Sequence, residues 1–212
     1  VISTLPRMTD ARALAAMELI DSLILATYVS QLRRQFSTLI HTGLHLTIDY
    51  GLSPSSCLTI LAYATIDVWP DDITEAYQLG RLAVELVDRL DASHLRCRIE
   101  VSFLGHLAPW KLQYSTVKRS FKGMFELGLA MGDKTFALSG VRAGGSLGFF
   151  LSKQLSQFEK NIMERINLHK RHSNDLNVTT LDLWVQFVRH LRGKPTDPHS
   201  ISGSTLDEDS PI

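Results

Sequence analysis

Only two cysteines, Cys57 and Cys97, occur in 212 residues. So small a number gives no disulfide framework and no thiolate-rich metal cage, and it points to an intracellular, reducing compartment. Charge of either sign is in no excess, because 22 Lys and Arg offset 22 Asp and Glu. The basic runs Arg33-Arg34, Lys118-Arg119 and His169-Lys170-Arg171 are short, so the chain carries no electrostatic funnel for DNA or RNA, and nucleic acid is not an expected partner. Long apolar runs are missing too. None approaches the roughly 18 residues that span a bilayer, since 136–151 contains Arg142 and several glycines. Membrane insertion is therefore not expected, and the opening VISTLP lacks the charged lead and apolar core of a secretory signal. The expected location is cytoplasmic. The opening also lacks a methionine, and residues 194–212 are rich in Pro, Ser and Asp with an acidic close at 206–209. Both features point to a segment of a longer chain.

What the chain does have is helical periodicity that repeats. Phe36, Ile40, Gly43, Leu44, Thr47 and Tyr50 recur 40 residues on as Ala76, Gly80, Ala83, Val84, Val87 and Leu90, and 41 residues after that as Val117, Phe121, Met124, Phe125, Gly128 and Met131. Steps of three and four place each set on one helical face. A second series, Cys57, Cys97 and Ala137, stands 40 apart. Small side chains at a fixed repeat position let helix axes approach closely, so both cysteines are expected to pack rather than to bridge, bind metal or attack. Tyr77 beside Gly80 belongs to the same packing set. A period of this size with a helical stripe predicts stacked helical hairpins, because one hairpin alone cannot bury its apolar face. The expected fold is all-α, an α-solenoid of antiparallel hairpins.

Nine helices are expected: 10–29, 32–50, 55–69, 73–90, 95–108, 115–131, 134–151, 154–171 and 178–192. Asp72 and Ser115 stand where N-caps belong. Gly51 and Gly132 are placed to end helices in the left-handed region. Residues 1–9 read as a lead-in, 10–193 as the helical-repeat domain and 194–212 as a polar tail. The fourth hairpin departs from the stripe at His169 and His172, as terminal repeats do.

Several segments resemble one family: LATYVS at 25–30, TIDYG at 47–51, AYQLGRLA at 76–83, LGLAMGD at 127–133 and WVQFVRHLRG at 184–193. Together they resemble the tetratricopeptide-like helical region that follows the AAA-type ATPase module in very large sensor kinases of bacteria and fungi. In that family the order is kinase-like domain, ATPase, helical region, GAF domain and histidine kinase. The likeness runs from about Leu14 to Gly193. It implies a tetratricopeptide-like fold and a part in two-component signal transduction, with ATP-binding and phospho-accepting residues in other domains. This chain departs from the pattern at Pro109, and at Gly144, Gly145 and Gly148, where the family carries larger residues. Each Gly costs a helix interior about 1 kcal/mol relative to Ala, so this helix should be weak or closely packed.

Other constellations read more plainly. The 144–148 glycines have no preceding strand and no Gly-Lys-Ser/Thr sequence, so they make no phosphate cradle. His41, His45 and Asp49 are spaced by four on one helix and are the candidate metal edge, but no zinc-protease Glu separates the histidines, and an exposed polar face is the preferred reading. The run 169–172 reads as a solvated helix end. Trp69, Trp110, Trp184, Phe103, Phe149 and Phe187 read mostly as core. Asn177-Val178-Thr179 is a sequon without consequence in an intracellular chain, and Ser53-Pro54 and Ser210-Pro211 are proline-directed phosphorylation dipeptides. No catalytic residue and no cofactor is expected. The leading expectation is a non-catalytic scaffold or regulatory segment contacting protein partners or neighbouring domains of its own chain. Set against it are a small-molecule sensing domain near the Gly-rich helix and a metal-dependent all-α enzyme around His41 and His45.

Overall fold

The computed structural model describes residues 2–172 and 176–194, with the side chains of Leu176 and Asn177 outside the description. The sequon side chain, the break at 173–174, the dipeptide Ser210-Pro211 and the tail beyond Lys194 lie outside the described residues. The fold is all-α, and no strand occurs among the described residues. We number the helices α1 (Ala11–Val29), α2 (Arg33–Tyr50), α3 (Ser56–Tyr63), α4 (Ile73–Arg89), α5 (Arg96–His106), α6 (Tyr114–Ser120), α7 (Met124–Ala130), α8 (Lys134–Leu151), α9 (Leu155–His172) and α10 (Leu176–Leu191). Two compact units divide the chain, Val1–Lys111 and Leu112–Ile212.

In the first unit, α1 packs on α2 and α3 on α4, while α2–α3 and α4–α5 join successive pairs. α3 touches α1, α2, α4 and α5. A helix surrounded in this way is apolar on all sides, and from Ser56 to Ala62 every residue of α3 is buried. It runs on into a π-helical turn, Ala64–Val68, so the expected helix over 55–69 changes its winding near the end. Asp10 caps α1, its carboxylate accepting from the Ala13 amide at 2.8 Å. Asp72 caps α4 as its position predicts, accepting from the amides of Thr74 at 2.8 Å and Glu75 at 3.0 Å. Those two bonds hold its carboxyl below the ordinary range.

The lead-in is tied down rather than loose. Met8 is buried and its amide donates to Leu52 O at 2.8 Å, while Leu52 N donates to Pro6 O at 2.8 Å. Arg7 reaches Leu90 O at 2.9 Å and Arg89 reaches Leu5 O at 3.0 Å. Gly51 makes room for this strap. Its φ is +102°, and a Cβ there would stand 2.5 Å from Pro6 O. The glycine was expected to end α2, and its ψ of −174° puts it in a region that glycine alone adopts rather than in the left-handed helical one.

The second unit corrects two sequence expectations. The helix expected over 115–131 is broken, because α6 stops at Ser120 and α7 starts at Met124 after Gly123, whose φ is +92°. Ser115 is not an N-cap; α6 begins a residue earlier, with Gln113 in that position and no side-chain cap bond. The stripe survives the break in part: Val117, Phe121 and Gly128 are buried, Met124 and Phe125 are half-buried and Met131 is exposed. α8 is continuous through Gly144, Gly145 and Gly148 and packs on α6, α7, α9 and α10. Close approach is the reason. A Cβ on Gly144 would come within 3.0 Å of Phe121 Cβ, and one on Gly145 within 2.8 Å of the Arg165 side chain. Phe158, Ile162 and Ile166 of α9 meet Val178, Leu181, Val185 and Val188 of α10 in one apolar cluster.

Candidate interaction surface

The repeat positions build a recurring helix joint. Cys57, Cys97 and Ala137 are each wholly buried, and the two cysteines form no disulfide. Burial pushes the Cys57 thiol up to about 12, which leaves it without nucleophilic thiolate at neutral pH. At the α2–α3 joint Gly43 lies against Thr59, to whose side chain an added Cβ would stand 2.9 Å. At the α4–α5 joint Gly80 lies against Phe103 and Leu107, with Cβ distances of 2.8 and 2.6 Å, and the Tyr77 ring flanks Phe103 at 5.5 Å. In both joints a small residue of the earlier helix admits the side chains of the later one. Buried Thr47 is satisfied at the first joint by the Ser56 hydroxyl at 2.9 Å, and Ser56 also accepts from the Ser53 amide at 3.0 Å.

This network also corrects a sequence expectation. Ser53 is buried and its hydroxyl lies 3.3 Å from that of Ser56, so the Ser53-Pro54 dipeptide is closed to a kinase in the folded chain.

The candidate metal edge is exposed and does not converge. His41, His45 and Asp49 all face solvent. The His41 Nδ1 is 2.9 Å from Ser37 O, and its Nε2 is 3.8 Å from Asp67 across the joint. Among the described residues no group of three or more His, Cys, Asp or Glu is placed to hold a metal. His169, read as part of a solvated end, is instead wholly buried, with its ring nitrogens 2.9 Å from Arg165 O and 3.0 Å from Leu138 O. His172 lies edge-on to Phe125 at 5.3 Å.

Three aromatic residues expected in the core are partly outside it. Trp69 and Trp110 form an exposed pair with centroids 5.4 Å apart, Trp110 being 61% exposed, and Phe187 is exposed as well. Phe103 is core, while Phe149 and Trp184 stack at 5.1 Å beside the α9–α10 cluster. Beside the Gly-rich helix, where a small ligand was considered, Phe121 packs against Gly144, and Ile162 and Arg165 against Gly145. The first unit has a partly enclosed groove of about 300 Å³, lined by Glu18, Asp21, Ser53, Ser55, His94 and Leu95 among others. Asp21 is engaged there, pairing with Arg98 of α5 at 3.3 Å.

α1 also exposes apolar side chains. Leu19 is 65% exposed, Leu23 48% and Val29 61%. With Ala15 and Ala26, which are also exposed, they form one stripe at helical spacing on the side away from the buried Met17, Ile20 and Ile24. No helix among the described residues is long and apolar enough to cross a membrane. Sequence reasoning missed this surface. α1 is apolar on both sides, so its pattern alone does not say which side is left open. Comparison with family models, with curated proteins and with solved structures gives no match.

Proposed function

We propose that the chain is a non-catalytic helical-repeat scaffold, an α-solenoid of the tetratricopeptide-like kind, that mediates protein–protein or interdomain contacts within a cytoplasmic signalling protein of the ATPase and sensor histidine kinase type. The observation that carries this reading is the repeated joint. Cys57 and Cys97, one period apart, are both buried, and at each joint a glycine of the earlier helix, Gly43 or Gly80, seats the following one. Repeats of that kind hold surfaces at set distances, and their exposed residues vary without loss of fold. The signalling context rests on the sequence resemblance alone.

The chemistry in view favours the same reading. Cys57 is buried and protonated, and the His41 edge presents no convergent ligands. Incubating the purified chain with ATP and Mg²⁺ tests the proposal. The expected result is no phosphate release and no labelled protein above the level of a heat-denatured control. Turnover that follows the chain through purification contradicts it.

A further inference from the structure

The partly enclosed groove of the first unit is a product of the repeat. Two of its lining residues, Ser55 and Leu95, stand 40 residues apart, the first just before α3 and the second just before α5. The rest of the wall comes from α1, where Leu14, Glu18 and Asp21 follow one another at i, i+4 and i+7. That spacing puts them on one side of the helix, apart from the buried Met17 and Ile20. All the walls thus belong to three segments of one unit, and the groove is a cleft between them rather than an uncovered face.

Its polar groups define a ligand chemistry. Ser55 is only 7% exposed and stands at the head of α3 without capping it, and its hydroxyl makes no hydrogen bond among the described residues. A buried hydroxyl left without a partner costs free energy that a bound polar group recovers. Glu18 is exposed at the mouth and pairs with no cation among the described residues. Asp21 is neutralised by Arg98 at 3.3 Å, and no Lys or Arg is among the lining residues, so Glu18 is the uncompensated charge. Leu14, Pro54 and Leu95 supply apolar surface, and the volume of about 300 Å³ is at the lower end for small-ligand clefts. We propose that the groove binds a small organic primary ammonium ion, whose N–H groups donate to the Glu18 carboxylate and the Ser55 hydroxyl and whose apolar body rests on Leu14, Pro54 and Leu95. The site goes beyond the scaffold reading and does not depend on it.

Benzylamine, benzyl alcohol and benzoate, alike in size and different in charge, are the probes, titrated at neutral pH into the isotope-labelled chain and followed by amide NMR shifts. Benzylamine should bind saturably and move the amides of Ser53, Ser55 and Leu95. Glu18→Gln should weaken it about threefold to tenfold, with the circular dichroism and melting temperature of the chain unchanged, because a charge-assisted bond is lost from an exposed carboxylate. Ser55→Ala should weaken it by a smaller factor. Benzyl alcohol and benzoate should bind at least about tenfold more weakly than benzylamine, and added salt should reduce the benzylamine affinity. Absence of saturable shifts overturns the proposal, and so does benzylamine binding indifferent to Glu18→Gln. Benzoate binding as tightly as benzylamine overturns it in favour of an anion. Acetyl-Gly-Lys-Gly-amide binding as tightly as benzylamine assigns the ammonium to a protein side chain and overturns the small-ligand assignment. None of these results alters the turnover experiment, so failure of the groove and failure of the scaffold reading are separately visible.

Discussion

Cys57, Cys97 and Ala137 stand 40 residues apart and differ in size by a single sulfur atom, which makes them a direct probe of the repeat. Each is fully buried. Cys57→Ala and Cys97→Ala should therefore be nearly neutral in urea unfolding, while Leu or Phe at either position should overpack the joint and cost about 1–3 kcal/mol. A marked loss of stability on the Ala change would contradict the assignment. These residues were legible in the sequence because the interval of 40 between them is visible without knowing any contact. Gly51 was legible only in part. A glycine after a helical stripe signals a stop, but residues 1–9 carry no periodicity, and nothing in them announces that Pro6 would cross within 2.5 Å of the Gly51 Cβ position. His169 was misread for a related reason. A histidine among basic residues resembles a helix end, and the carbonyl of Leu138, 31 positions away, which lets it be buried, is invisible from its neighbours.

Helices themselves are legible where local chemistry decides them and illegible where a tertiary contact does. The starts of α4 and α8 follow from Asp72 and Asp133, whose carboxylates bond the first amides. The division between α6 and α7 was missed because the stripe continues through it, while the backbone turns at Gly123. The π-turn after α3 is likewise silent in the pattern. Glu159, on α9, also lay outside the stripe that was read, and it fastens α9 to the end of α10. It accepts from Arg189 at 3.0 Å and Lys194 at 2.9 Å and also pairs with Arg192, so Lys194, assigned to the tail, belongs to this clasp. Burial pushes its carboxyl up, but the bonds from Lys194 and Arg189 together outweigh that and hold it below its ordinary range. A carboxyl with a depressed folded value contributes stability above the ordinary carboxylate range, and that contribution is lost as pH falls through the folded value. Glu159→Gln should cost about 1–2 kcal/mol at neutral pH, the three cations being partly exposed. The difference from the parent chain should shrink below about pH 4. Urea unfolding across a pH series checks this, and a gap independent of pH would contradict it.

At the scale of the whole molecule, composition and period together led to the all-α class, and the structure bears that out. Both cysteines are buried, and His41, His45 and Asp49 are dispersed along an exposed face. What remained hidden was which apolar faces stay open, because a stripe records that a face is covered without recording by what. If the chain works as a spacer with docking faces, its length and stiffness carry the function, and exposed side chains matter only where a partner sits. The most direct measurement replaces residues 10–192 with a flexible linker in a signalling protein that contains this chain, and reads output with the flanking modules shown to be folded. The account predicts that output is lost or uncoupled from its stimulus. Normal, stimulus-dependent output from the linker protein would contradict it.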